Sequence, residues 1–461
     1  MKQIYNTADR VVVYLGEEEE GDGSAQAMAC IADVEGDVRT YSEVAIQALL
    51  SRAWFHRLWV VQEVARSRTA VVICGAHTVP WDCFTRWPLR TAAKGPGFDL
   101  PGILSYPSGY TPASGSDSLL QLLYNNSNAL ATDSRDKVFG LLGLMEDNSP
   151  YLDLIDYSLP IRDIYFATAM QLLADSRSLR LLSAAGSRGE PAWNGSCSLS
   201  HDPTSYSLPS WVPDWNYARP EANLALGKSY VEPFDAGGRP CLIEFDSSYS
   251  LSARGVLLGR CLRLSDSETD PLPPRSYDFP RFLDLLGILD HFRDITRVSP
   301  SSSQQLRKLM HTVCAWPNSA IQHPDDSESE HQRCFAEILF SSSVYTHRNA
   351  WFKSSLAGRA SSVIRYRCLF VGEHDLLGLG PAAMQEGDVI VALLGGPTPY
   401  VLRPVNKTCS EYVLIGECYV YDHMHGEAFH HIREEVEALG CSLPPTSTGP
   451  SYVKLEKFTI V

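Results

Sequence analysis

Residues 10–16 read RVVVYLG. A run that is apolar at successive positions has no polar side to turn toward water. It is expected as a strand buried on both faces, and such strands are typically parallel. TAVVICG, residues 69–75, repeats the signal. Parallel strands cannot be joined by a tight turn and need a crossover segment. Residues 24–34, 42–50 and the aromatic stretch SRAWFHRLWVVQEVARS (51–67) read as the helices that supply it. The first 92 residues are therefore expected to be a partial α/β domain with a parallel sheet. The acidic run EEEEGDGS between them reads as a solvated loop, because adjacent carboxylates repel.

Further along, the periodicity changes. Residues 93–118 are rich in Gly, Pro and Ser and are expected as a loop or linker. Leu119, Leu122 and Leu123, then Val138, Leu141 and Leu142, fall at helical spacing. PIRDIYFATAMQLLADS (160–176) reads as an amphipathic helix opened by Pro160, with Ile164, Ala167, Met170, Gln171 and Ala174 along one face. Residues 119–345 are expected to be mainly helical, with long loops at 186–209, 265–280 and 316–331. Residues 346–461 are expected to be β-rich: YRCLFVGE, GDVIVALLGG, YVLRPV and EYVLIGECYVYD are short strands set off by Gly and Pro, as in a small antiparallel barrel or sandwich.

Composition excludes several classes of function. The 461-residue chain carries a formal net charge of -15, the wrong sign for a general nucleic-acid binder or for an anionic membrane surface. No apolar run approaches the ~18 residues of a membrane span. Its 12 cysteines are scattered. They form no CxxC pair, which fits a reduced, cytoplasmic protein without a zinc finger.

Five stretches, taken in order, resemble the fungal heterokaryon incompatibility (HET) family. They are MKQIYNTADRVVVYLGE, SRAWFHRLWVVQEVARSRTAVVICGAHTVPW, ATDSRDKVFGLLGL (131–144), LPSWVPDW (208–215), and the tail from RYRCLF through YVLIGECYVYDHMHGEA. Family members begin with an earlier strand, a Trp-Gly loop and a WIDxxCINQ segment, and this sequence resembles the family only from the helix that follows. A shortened reading frame and a decayed copy both stay open, and both leave the sheet without its first strands. The resemblance implies a role in nonself recognition and programmed cell death, with a protein partner.

The HET domain is in turn distantly similar to Toll/interleukin-1 receptor (TIR) domains, some of which hydrolyse NAD with a glutamate in a Trp-x-x-x-Glu pattern. Trp59 and Glu63 have that spacing. By this fold-level analogy the sheet is TIR-like, NAD is the substrate, no cofactor is stably bound, Glu63 is the catalytic candidate, and Trp59, Gln62 and Arg57 support it. On a helix, residues four apart share a face. An indole wall would desolvate the carboxylate and raise its pKa, and such a glutamate can orient the ribose or stabilise an oxocarbenium-like centre. A structural reading stands beside this one: Arg66, three residues on, pairs with Glu63 and fixes the helix end. A non-catalytic scaffold is the second functional reading.

The other candidates read as structural. Trp54 is expected in the core. Asp133 is expected to cap the helix that follows, with Arg135 bridging acidic groups between layers and Asp136 beside them. Trp211 and Asp214 sit in a stiff Pro-rich segment suited to a domain seam. In DHMHGEAFHHIREE (422–435), Gly426 and Glu427 belong to the family-like M-x-GEA. His423, His425, His430 and His431 match no metal-binding spacing, and no metal site is expected.

Overall fold

The computed structural model describes residues 2–18, 23–33, 42–91, 100–111, 114–186, 207–216, 224–226, 234–246, 248–265, 303–313, 315, 363, 367–406, 411–446 and 448–461. The loops expected within 187–206, 266–280 and 316–331, and the acidic Glu19 and Glu20, lie outside these residues.

The N-terminal part comprises helices α1 (Lys2–Thr7), α2 (Ser24–Ala32), α3 (Glu43–Leu50), α4 (Val60–Ala65) and α5 (Trp81–Thr91), with strands β1 (Val11–Tyr14), β2 (Ala70–Cys74) and β3 (His77–Pro80). β1 and β2 are parallel, with Val11 opposite Ala70 and Tyr14 opposite Ile73. Two expectations are corrected. The sheet is mixed, because β3 runs antiparallel to β2. Only Gly75 and Ala76 separate the two strands, too short a link for a crossover. Nor is β1 buried on both faces. It is an edge strand, and Val12 and Tyr14 are 56% and 54% exposed. The face carrying Val12 and Tyr14 is only partly covered on central β2 as well, where Val71 and Ile73 are half-buried, so the apolar pattern overstates burial of that face.

A helical layer follows: α6 (Ser116–Asn125), α7 (Asp136–Leu142), α8 (Ile161–Ser176) and α9 (Arg180–Ala184). The six apolar residues singled out at 119–142 are all buried. In α8 the buried stripe is Ile164, Tyr165, Thr168, Ala169, Leu172 and Leu173, one position off the expected face. The Tyr165 hydroxyl sets that rotation by donating to the Ser134 carbonyl at 2.8 Å. The described part of the expected linker is packed into the core. Ile103, Leu104 and Tyr106 are buried, and the Trp81 indole N–H donates to the Tyr106 carbonyl at 2.8 Å.

Residues 119–345 are not helical throughout. The second half of that stretch supplies β4 (Ile243–Phe245) and the 14-residue β5 (Leu251–Leu264), ahead of helix α10 (Ser303–Val313). The remaining elements are β6 (Arg367–Gly372), β7 (Leu377–Pro381), β8 (Val389–Leu393), β9 (Tyr400–Pro404), β10 (Glu411–Glu417), β11 (Tyr419–Val420), helix α11 (Arg433–Ala438) and β12 (Leu455–Ile460). β5 pairs with both β8 and β12, and β12, β10, β9 and β8 pair in turn, so these five strands close a barrel. The far end of β5 continues through β6 and β7 to β11. β8 is buried on both faces. Along it, Val389, Val391 and Leu393 join an apolar cluster that reaches all five closing strands and the helical layer, whereas Ile390 and Ala392 join a second cluster that includes Phe429 and Val436. That two-residue alternation between two apolar environments explains why VIVAL carries no polar residue.

Candidate functional site: the α4–α7 interlock

The stretch carrying Trp59 and Glu63 is not one helix. Ala53–His56 forms a 3-10 turn, and α4 starts only at Val60, with Trp59 at its cap. Trp59 keeps helical backbone angles at that cap and so still lies one turn before Glu63. Its indole N–H turns away and donates to Asp136 Oδ2 at 3.1 Å. The amide of Gln62, buried at 2% exposure, donates to the Gly140 carbonyl at 2.5 Å. Arg66 donates through Nε to the Gly143 carbonyl at 3.0 Å and through Nη2 to the Met145 carbonyl at 2.9 Å. The chain before α4 joins the same partner segment: Leu58 N–H donates to the Leu130 carbonyl at 2.9 Å, and Leu130 N–H to the His56 carbonyl at 2.5 Å.

The two motifs are thus each other's complement. A Cβ on Gly143 would lie 2.4 Å from the Gln62 side chain, and one on Gly140 would lie 2.9 Å from Leu58. Glycine at both positions lets α7 approach closely enough for its carbonyls to be reached. The carbonyls at the end of a helix have no partners within the helix. Gln62 and Arg66 satisfy them here.

Glu63 is left on the other side of α4. It does not pair with Arg66, as the structural reading expected, because Arg66 is committed to α7 and the chain beyond it. Its partner is Tyr5 on α1, whose hydroxyl hydrogen-bonds the carboxylate, with the Arg57 guanidinium close enough to attract it. Burial dominates and raises the Glu63 carboxyl above its ordinary value, while Tyr5 and Arg57 oppose the shift. Burial, and then the neighbouring carboxylate, raises the Tyr5 phenol as well. A half-buried carboxyl held by a phenol can accept or return a proton.

Arg135, not Asp133, occupies the cap of α7. Asp133 Oδ1 instead accepts the Arg135 backbone N–H at 2.9 Å. The guanidinium returns to Asp133 Oδ2 at 2.7 Å and also donates to the carbonyls of Tyr157 and, at 3.2 Å, Leu159. Arg135 therefore joins one carboxylate to a following loop and does not bridge two acids. Its hydrogen bonds hold the Asp133 carboxyl below the usual range. Asp136 accepts the Tyr157 hydroxyl at 2.5 Å as well as the Trp59 indole. Lys137, 7% exposed, was missed by sequence reasoning; its ammonium donates to the carbonyls of Ser127 and Ala129 at 2.9 and 2.5 Å.

Remaining candidates lie elsewhere. Trp54 packs edge-on against Phe55 and Trp81. Trp211 is fully buried between Phe166 of α8 and Phe245 of β4, and its indole donates to the Tyr249 carbonyl at 2.9 Å. Neighbouring Ser210 accepts the Leu414 N–H of β10 at 2.9 Å, so this segment lies between helical layer and barrel. Asp214 accepts the Asn216 N–H at 3.1 Å. Gly426 has φ of 86°, and a Cβ there would meet Pro444 at 2.9 Å. Glu427 accepts the His425 N–H at 2.7 Å. No three His, Cys, Asp or Glu side chains converge as a metal site among the described residues. No helix among them is long and apolar enough to cross a membrane.

The barrel region holds a buried ion pair that no local sequence pattern marks. Arg367 Nη2 and Glu417 Oε1 are 2.9 Å apart, with side chains 1% and 5% exposed. Arg367 also donates to the Glu417 carbonyl at 3.1 Å, and the Leu224 N–H donates to the carboxylate. Burial raises the Glu417 carboxyl, and Arg367 opposes the rise.

Two stretches of the chain have counterparts among known families. Residues 1–63 match the model of the heterokaryon incompatibility protein (HET) family, and residues 346–437 match the Het-6 beta-barrel domain. The chain is thus similar to heterokaryon incompatibility proteins in these two stretches. Heterokaryon incompatibility protein 6, OR allele, of Neurospora crassa is 24% identical over a span covering 93% of this chain and 78% of that protein. No solved structure matches. The HET match ends at Glu63, so it includes Trp59 and Gln62 but neither Arg66 nor the α7 segment they bond to. The barrel match likewise excludes β5 and β12, two of the five closing strands.

Proposed function

We propose that the chain is an incompatibility protein of the fungal cytoplasm, acting in nonself recognition and in the regulated death of fused, unlike cells. We further propose that it acts by engaging a protein partner rather than by turning over a substrate. The relative's name and the two family matches support the biological role. One observation carries the mode of action. Trp59 and Gln62, two of the three residues the enzymatic reading needs around Glu63, are already bonded to α7. The test is to express the chain in a fungal strain, fuse it with an incompatible partner, and follow cell death and NAD together. Death at wild-type level in Glu63→Ala, with NAD unchanged, is the expected result. Loss of killing in a Glu63→Ala protein that still folds would overturn it.

The raised Glu63 carboxyl, with Tyr5 and Arg57 beside it, favours a second reading, TIR-like NAD cleavage. On that reading the purified chain hydrolyses NAD and Glu63→Ala abolishes the turnover.

A further inference from the structure

A cavity of about 430 Å³ opens between the end of α8, strands β4, β5 and β12, and the turn after α11. Such a volume falls within the range of small-ligand sites. It shares no lining residue with the α4–α7 interlock and is independent of the function proposed above. Its charge is out of keeping with the chain. Arg177, Arg254 and Lys457 line it with Glu244 as the single carboxylate, an excess of two positive charges in a protein of formal net charge -15.

The arrangement carries a cost. Arg254 and Lys457 are directly opposite each other in the β5–β12 register. Like charges at facing positions destabilise a sheet. Glu244 relieves this only in part, because its carboxylate is committed to Lys457 Nζ at 2.6 Å. Arg177 ends α8 in the left-handed conformation with φ of 50°, uncommon for a residue other than glycine. The Cys241 N–H, donating to the Arg177 carbonyl at 2.9 Å, ties that residue to the cavity's opposite wall. Arg254 shares the Glu244 carboxylate with Lys457, at a distance that only attracts it, and Arg177 makes no ion pair among the described residues.

The remaining wall is apolar: Leu173, Leu242, Ile243 and Leu439. Leu439 is 41% exposed, one of the few large aliphatic side chains left uncovered. Two guanidiniums and Lys457 with one carboxylate between them, set over an apolar wall, suit a ligand with a doubly charged head and an apolar or planar body. Arginine recognises phosphate bidentately.

We propose that this cavity binds a small phosphate monoester, its phosphate on Arg177 and Arg254 and its body over Leu173 and Leu439. Isothermal titration of the full chain with adenosine 5′-monophosphate, adenosine and inorganic phosphate tests it. The monophosphate is expected to bind saturably and at least tenfold tighter than adenosine, with inorganic phosphate competing. Arg177→Glu and Arg254→Glu should each weaken it at least tenfold with the melting temperature unchanged. If charge reversal prevents folding, Arg177→Gln and Arg254→Gln are expected to show the same loss. No binding of either phosphate, equal binding of adenosine, or unchanged affinity in the folded arginine variants would each overturn the proposal.

Discussion

Around α4 and α7, buried donors are satisfied by main-chain carbonyls: Gln62 on Gly140, Arg66 on Gly143 and Met145, and Lys137 on Ser127 and Ala129. In the barrel, by contrast, Arg367 is buried against the carboxylate of Glu417, and Arg403 reaches Asp388 at 2.8 Å. The first arrangement depends on backbone position, since a carbonyl cannot be removed by mutating its side chain. The second depends on two side chains, and either one left alone is a buried charge. The helical layer is therefore vulnerable to changes in spacing, and the barrel to changes in charge.

The sharpest way to break this contrast is Glu417→Leu. Leaving Arg367 buried without its carboxylate is expected to cost about 3–5 kcal/mol, whereas the double variant Arg367→Met with Glu417→Leu should recover most of it. Urea unfolding measures both, and a single-variant loss below about 1 kcal/mol would show that the barrel does not rest on this pair. Gly143→Ala comes next. Its Cβ would sit 2.4 Å from the Gln62 amide. Overpacking of this kind costs about 1–3 kcal/mol. Amide exchange should quicken in α4 and α7 and stay unchanged in the barrel, and adding Gln62→Ala should restore part of the stability. The smallest effect belongs to Asp133→Asn. The folded Asp133 carboxyl lies below its ordinary value because of Arg135. Its stabilisation is therefore present above the unfolded pKa of about 3.9 and is lost as pH falls through the folded value. The variant should melt slightly lower than wild type at pH 7 and match it in strong acid.

The β1–β2 pair was legible because β-branched runs have few other uses, and the buried helical positions were legible from their spacing. Edge placement was not, since nothing within VVVY distinguishes an edge strand from a central one. β5 was missed for a local reason. LSARGVLLGRCLRL alternates poorly, because bulges at Leu257/Gly259 and Cys261/Arg263 shift its register. Trp59 and Glu63 keep the helical spacing read from the sequence, but the Trp59 indole is bonded to Asp136 of α7. The partner that claims Trp59 is 77 positions along the chain, where no local pattern could reveal it. Glu417 lies in a strand like its neighbours, and its burial follows from barrel closure alone.

Strand β5 also bears on how the chain is made. Leu251 to Val256 pair with Ile460 to Leu455, so a ribosome delivers roughly 190 further residues after β5 before that partner strand emerges. At about 5–20 residues per second this takes on the order of 10–40 s. Throughout that interval the longest strand of the sheet has one ladder unfilled, and unpaired strand edges are where nascent chains aggregate. The barrel is thus the part of the molecule whose yield in the cell should respond most to the speed of translation and to chaperone supply, and the α4–α7 interlock the part that should respond least.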